Sequence, residues 1–199
     1  MYPSLSIKTC TGPAIRPHLQ ELAALRIEVF REYPYLYDGT TAYEKQYLQR
    51  YTTSEKSLVV LVMDQDEVVG ASTGLPLADE MDAIREPMRL AGYRPETVFY
   101  CGESVLKKSY RGKGVYPVLF KEREAHAAAH GLTVCCFCAV DRPDDHPMKP
   151  KNYQTLDDVW QRYGYIKHTH LKARLSWNDI GEDEETEKAL SFWIKHLNT

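Results

Sequence analysis

Between residues 98 and 140 the chain reads as a strand, a short basic turn with two glycines, a helix and a second strand, and that order leaves few folds open. Residues 98–106 form an apolar run. Residues 107–114, Lys-Lys-Ser-Tyr-Arg-Gly-Lys-Gly, are the turn. From about 114 to 130, Val115, Val118, Leu119, Glu122, Ala125, His126 and Ala129 trace one helical face, with Gly131 as a natural stop. Residues 132–140, rich in apolar side chains and cysteine, complete the unit. Such a crossover is right-handed and makes its two strands parallel. Residues 57–63 and 68–75, separated by Asp64-Gln65-Asp66-Glu67, read as a β-hairpin that adds antiparallel strands. The expected fold is mixed α/β: a twisted, mostly antiparallel sheet with a central parallel strand pair and helices on both faces.

The remaining segments fit around that frame. Residues 5–10 alternate as a short strand. From about 15 to 32, Leu19, Leu22, Ala23, Leu25, Arg26, Val29 and Phe30 recur at three- and four-residue spacing, which predicts an amphipathic helix stopped by Pro34. A turn-rich loop carrying Tyr33, Tyr35 and Tyr37 follows, and Tyr43, Tyr47, Leu48 and Tyr51 mark a second helix. Residues 76–97 are a long connection with a short helix around Met81, Ile84, Met88 and Leu90. Residues 156–162 predict another short helix and 165–175 a strand. A final amphipathic helix is expected at about 184–197, with Ala189, Leu190, Trp193, Ile194 and Leu197 on one side. No linker or repeat divides residues 1–199, which read as one domain.

Composition removes several classes of function. Hydrophobic residues make up 43% and charged residues 27%, which suits a packed core rather than a disordered chain. The 25 Lys and Arg are scattered in a chain of formal charge -3, so no basic stripe is available for nucleic acid. No apolar run is long enough to span a bilayer, and residues 1–10 lack a secretory pattern, so no membrane association and a cytoplasmic location are expected. Cys10, Cys101, Cys135, Cys136 and Cys138 lie mostly in strand-like runs and read as reduced, buried thiols. No metal site is expected, because Cys135, Cys136 and Cys138 point to opposite faces of a strand and lack a second ligand pair.

The turn carries the chemistry. Gly112 and Gly114 let backbone approach an anion closely, and the amides at the following helix N-terminus point outward with the positive end of the helix dipole behind them. Gly112, Lys113, Gly114, Val115 and Tyr116 therefore read as a pyrophosphate cradle, with Arg111 and Lys113 adding charge at its rim; the bland alternative is an ordinary solvated turn. Neither a P-loop nor a dinucleotide fingerprint occurs here.

At this point the sequence resembles the GNAT superfamily of acyl-CoA N-acyltransferases, whose fourth strand runs into a loop of pattern Arg/Gln-x-x-Gly-x-Gly/Ala. Arg111 and Gly114 match it, and Tyr116 departs from the small third residue. Residues 159–165, Val-Trp-Gln-Arg-Tyr-Gly-Tyr, are similar to the family's aromatic segment before a Gly-Phe or Gly-Tyr pair. The resemblance implies acetyl-CoA as co-substrate, its pantetheine pairing with backbone near Val105 and Leu106 where two strands splay, and direct attack by a primary amine of a small molecule or protein. It also implies that Trp160 stands where relatives often carry a tyrosine acid, with Tyr153 or Tyr163 as substitutes.

A base must take the proton of the attacking ammonium. Glu103, in the apolar run leading into the loop, is the first candidate, since desolvation suits a carboxylate to that task; a place on a partly wet strand face or a structural pairing with a lysine is the alternative. Asp141 and His146, after the next strand, are further candidates. The resemblance also implies that the loop of Tyr33, Tyr35 and Tyr37 forms one wall of the acceptor site, where aromatic faces attract ammonium; covering core or forming a homodimer contact is the alternative, and the Trp193 segment can serve as packing or oligomer surface. A non-catalytic acyl-CoA-binding or scaffold domain remains the rival reading.

Overall fold

A computed structural model describes residues 5–197. These residues form eight strands: β1 (Leu5–Cys10), β2 (Leu58–Asp64), β3 (Glu67–Pro76), β4 (Val98–Tyr100), β5 (Ser104–Leu106), β6 (Val134–Val140), β7 (Ile166–Trp177) and β8 (Thr186–His196). The main sheet runs β1-β2-β3-β4-β6-β8-β7, and β5 extends it by pairing with β3. Every neighbouring pair is antiparallel except β4 with β6. That parallel pair is the crossover expected from the glycine turn and its helix.

Five α-helices cover the sheet: α1 (Leu19–Phe30), α2 (Thr41–Thr53), α3 (Asp82–Leu90), α4 (Tyr116–Ala129) and α5 (Asp157–Arg162). Thr40 accepts a bond from the amide of Tyr43 and so caps α2. Leu22, Leu25, Leu48, Tyr51, Ile84 and Met88 from α1, α2 and α3 pack on one sheet face, together with Val98, Tyr100 and Cys136. Leu119, Phe120 and Ala127 of α4 pack on the other face with Phe99, Cys101 and Cys135, and Trp160 and Tyr163 of the α5 segment join them. All five cysteines are buried with free thiols.

Three local expectations change. The segment expected as a C-terminal helix at 184–197 is the strand β8, hydrogen-bonded between β6 and β7. A central strand is buried on both faces, so its apolar residues do not alternate with polar ones and can mimic helical spacing. Leu190, Phe192 and Ile194 enter one core layer, while Trp193 enters the other and is completely buried, so it is interior packing rather than surface. The helix expected from residue 15 begins later: residues Gly12–His18 form a 3-10 turn containing Pro17, which cannot supply the amide an α-helix needs there, and α1 starts at Leu19. Finally, the single strand expected over 98–106 is interrupted at residues 101–103, and this interruption opens the sheet.

Candidate active site

Cys101 makes the last backbone bond to β6, its amide donating to Cys136 O at 2.7 Å. The next amide, Gly102, turns the other way and donates to Thr73 O at 3.0 Å, so the chain leaves β6 and follows β3 alone. Glycine is required at this turn. A Cβ on Gly102 would lie 2.2 Å from the Tyr51 hydroxyl and 2.7 Å from Thr73 Oγ1. Beyond the break, β5 and the far end of β6 diverge around a cavity of about 320 Å³. Glu103 and Ser104 stand on one wall, and residues 137–142 on the other. Tyr33 and Tyr35 line one side of the cavity, and Tyr116, Phe120, Arg123 and Trp160 line the opposite side.

The open edge of β5 follows from its register. Thr73 N donates to Glu103 O and Lys107 N to Val69 O, so odd-numbered residues direct their backbone groups to β3. In an antiparallel ladder these groups alternate. The amides and carbonyls of Ser104 and Leu106 therefore face the cleft, while those of Val105 are committed to β3. Leu106 O accepts a bond from Arg111 Nε at 3.0 Å.

The glycine loop ends at the mouth of this cleft. Gly112 and Gly114 both have φ of 75°, the left-handed region that favours glycine, and the space a Cβ on Gly112 would occupy is open. Among the described residues no backbone acceptor meets the amides of Gly112, Gly114, Val115 or Tyr116, and α4 begins at Tyr116 without a side-chain cap. These unpaired donors lie together at a helix N-terminus, an arrangement that suits an anion. The Arg111 guanidinium forms a bidentate bridge to Glu32 at 2.8 and 2.9 Å. It holds the loop to the end of α1. The Lys113 ammonium lies over the Tyr110 ring at 4.7 Å.

Glu103 sits on the α1–α2 side, its side chain 2% exposed. Arg26 Nη1 lies 2.5 Å from Glu103 Oε2 but outside hydrogen-bond alignment, and neither carboxylate oxygen has a hydrogen-bond partner. The same guanidinium forms a buried ion pair with Glu44 through Nε and lies 4.2 Å from the Tyr47 ring centre. Burial opposes charge on Arg26, yet Glu103, Tyr47 and Glu44 hold its pKa above the usual arginine value. Two carboxylates thus face one guanidinium, and the nearer to the cleft retains unused acceptor capacity.

On the opposite side Trp160 Nε1 donates to the Tyr116 hydroxyl at 2.9 Å. Burial raises the Tyr116 pKa, although the indole bond and Arg123 oppose it, so the phenol is protonated near neutrality. Its lone pair is occupied by the indole, and its proton has no acceptor among the described residues.

No protein-family model and no curated protein matches the sequence. Solved structures match along nearly the whole chain. An N-acetyltransferase from Staphylococcus aureus Mu50 superposes with a TM-score of 0.57 at 14% identity, over 98% of this chain and 99% of the other. A ribosomal-protein-alanine N-acetyltransferase from Brucella melitensis gives 0.61 at 14%, over 96% and 99%. The acetyltransferase yncA from Salmonella typhimurium, solved with its cofactor acetyl-CoA, gives 0.60 at 10%, over 98% and 95%.

The chain has the GNAT acetyltransferase fold. Within that fold the cleft gathers Glu103, Tyr33 and Tyr35, while the residue 112–116 loop borders it through Tyr116. Tyr37 does not line the cavity and packs instead against the core layer under α1 and α2. Asp141 reaches the cleft wall, but its oxygens accept from Lys172 at 2.7 Å and from Ser191 at 2.8 and 3.0 Å. His146 does not line the cavity. Tyr163 stacks on Phe120 at 4.3 Å rather than facing the cleft, whereas Tyr153 lines it and packs edge-on against Tyr33.

Sequence reasoning missed Arg142. This side chain donates to Pro34 O and Tyr35 O, each at 2.7 Å, and to both oxygens of Asp179, so it fixes the aromatic loop against the rest of the wall. No local pattern announces it, because its partners lie 37 to 108 residues away in sequence.

Proposed function

We propose that this protein is an acetyl-CoA-dependent N-acetyltransferase that carries an acetyl group to a primary amine by direct attack within a ternary complex. The observation that carries this reading is the buried Glu103 carboxylate, ion-paired with Arg26 but with both oxygens free of hydrogen bonds to the described residues, on a cleft created where the sheet splits. The amides of Gly112, Gly114, Val115 and Tyr116 suit the cofactor's pyrophosphate, and Lys113 stands beside it. The cleft-facing backbone groups of Ser104 and the Leu106 amide suit the amide-bearing arm, a shift by one residue from the expected use of Val105. Bound acetyl-CoA would supply an activated acyl group as a thioester.

The protein's own residues then divide the work by sheet face. Glu103 faces the side of Tyr33 and Tyr35, where an ammonium would enter, and accepts its proton directly or through a water. Tyr116, oriented by Trp160, offers an uncommitted hydroxyl proton on the other face. The Arg142 contacts keep the aromatic wall in place, which favours an acceptor already oriented for attack. The 320 Å³ cavity suits a small amine or the end of a protein chain. Cytoplasmic location follows as the expected setting for acetyl-CoA use; no helix among the described residues is long and apolar enough to cross a membrane.

The scaffold reading draws on one observation: the Tyr116 side chain occupies the cleft beside Trp160, so binding without turnover is compatible with the geometry. Incubating the protein and acetyl-CoA with a panel of amines, amino acids and peptides, and following free thiol, separates the two. Acceptor-dependent thiol release supports transfer. Saturable CoA binding with no release above the acceptor-free rate across the panel refutes it.

A further inference from the structure

Arg123 occupies a core-facing position of α4, in the stripe formed by Leu119, Phe120 and Ala127. Its residue is 3% exposed. One nitrogen donates to Ser104 Oγ at 2.8 Å, Nε has no hydrogen-bond partner, and no carboxylate among the described residues forms an ion pair with it. The guanidinium lines the cleft and lies over the Phe120 ring at 4.6 Å. Among the described residues, every other buried arginine or lysine has an anionic partner: Arg26 has Glu44 and Glu103, and Lys188 has Asp179. A buried cation without a counter-ion opposes folding. Its position in an open cleft points to a negative charge that arrives with the ligand or develops during reaction.

The direction of the chain indicates which charge. α4 starts at the unpaired loop amides and runs back along β5, so Arg123 lies about 10 Å further along the helix axis than Tyr116. There it bonds Ser104, the residue beside Glu103. Glu103 marks the face from which the amine approaches, and Arg123 lies on the opposite face. Resting on the acetyl-transfer reading, we infer that Arg123 is a further catalytic residue, whose guanidinium receives the negative charge of the departing CoA sulfur. As the N–C bond forms, the C–S bond breaks and its electron pair stays on sulfur. The ammonium gives one proton to Glu103 before attack, and the nitrogen releases its second to solvent once the N–C bond has formed; the sulfur is protonated afterwards from solvent, directly or through Tyr116, which then regains a proton from solvent.

The groups facing Arg123 are Cys101 beyond β4, Cys135 on β6, Tyr165 before β7 and Tyr116 on α4. Burial works to raise the Cys101 pKa, but its bond with Cys135 and the charge of Arg123 bring it below the ordinary thiol value. This is the same effect on a resident sulfur that is inferred for the cofactor's. Cys101 also defines the rival role, in which Arg123 serves only that thiol.

The test compares the binding of CoA with that of desulfo-CoA, which lacks the terminal sulfur, by calorimetry on the intact protein between pH 6 and 9. Titration of protein groups that respond equally to the two ligands cancels in the affinity ratio. An adjacent opposite charge shifts an acid by about one to three units. The preference for CoA over desulfo-CoA should therefore rise about severalfold across this range for a one-unit shift and more than tenfold for a larger one. Arg123→Met should abolish the rise without lowering Tm, since it removes an unpaired buried charge, and Arg123→Lys should restore part of it. A flat wild-type ratio with both ligands bound overturns the role of Arg123 while leaving the cofactor site intact. A rise that survives in Arg123→Met also overturns it. Failure of both ligands to bind wild-type protein at any pH defeats the acetyl-transfer reading itself.

Discussion

Replacing Glu103 by Gln separates its catalytic role from its structural one. The substitution preserves shape and removes the proton acceptor. General-base catalysis contributes about 100- to 10,000-fold, so kcat should fall by that range, equivalent to about 2.7–5.4 kcal/mol in the barrier. Stability should move little, and the sign follows from the local charges. Arg26 faces both Glu103 and Glu44, so after the change one guanidinium faces one carboxylate and the surplus negative charge disappears. Arg26→Met does the opposite, leaving two buried carboxylates without their cation, and should cost about 3–5 kcal/mol. Turnover is measured by thiol release at saturating acetyl-CoA and acceptor, with calorimetry for CoA affinity and thermal denaturation for stability. In the Gln variant CoA affinity should remain within about twofold and the acidic limb of the pH–rate profile should vanish or move. Wild-type turnover with an unchanged pH profile would refute the assignment. A large loss of Tm in Glu103→Gln would show that the carboxylate is retained for folding.

Other changes test the remaining parts of the site and fold. Gly114→Asp places a side chain and a negative charge in a loop position of φ 75°, and CoA affinity by calorimetry should fall at least tenfold or become undetectable. Trp193→Ala, at a fully buried position of β8, should lower stability by about 3–5 kcal/mol in denaturant unfolding; a helical, surface-facing Trp193 would lose far less. Direct attack requires no enzyme nucleophile, so mass spectrometry after incubation with acetyl-CoA alone should show no stable adduct. A stoichiometric acetyl group on Cys101 that chases into product would overturn direct transfer.

The architecture was legible where a segment's own pattern is unambiguous. Polar residues 64–67 between two apolar runs specify the β2–β3 hairpin, and a helix between two strands specifies the parallel pairing of β4 with β6. The loop at 112–116 was legible for the same local reason: glycine tolerates positive φ, and a helix start leaves amides unpaired. β8 was not legible, since its apolar residues fill both core layers and their spacing satisfies a helix as well as a buried strand. Only the vacant place between β6 and β7 decides between them.

The chemistry of the cleft depends even more on packing. The apolar run around Glu103 announced a desolvated carboxylate, but Arg26 and Glu44 reach it from α1 and α2. Tyr116 and Trp160, each a departure from the expected motif when read alone, become a hydrogen-bonded pair across α4 and α5. Arg123 looks like an ordinary helix arginine in sequence, because nothing local distinguishes a solvated guanidinium from one turned into the sheet. Short-range periodicity and backbone preference thus determined which segments form the frame. Burial, charge pairing and the opening of the cleft were decided by contacts between residues distant in the chain, which exist only once the sheet and its two helical layers have assembled.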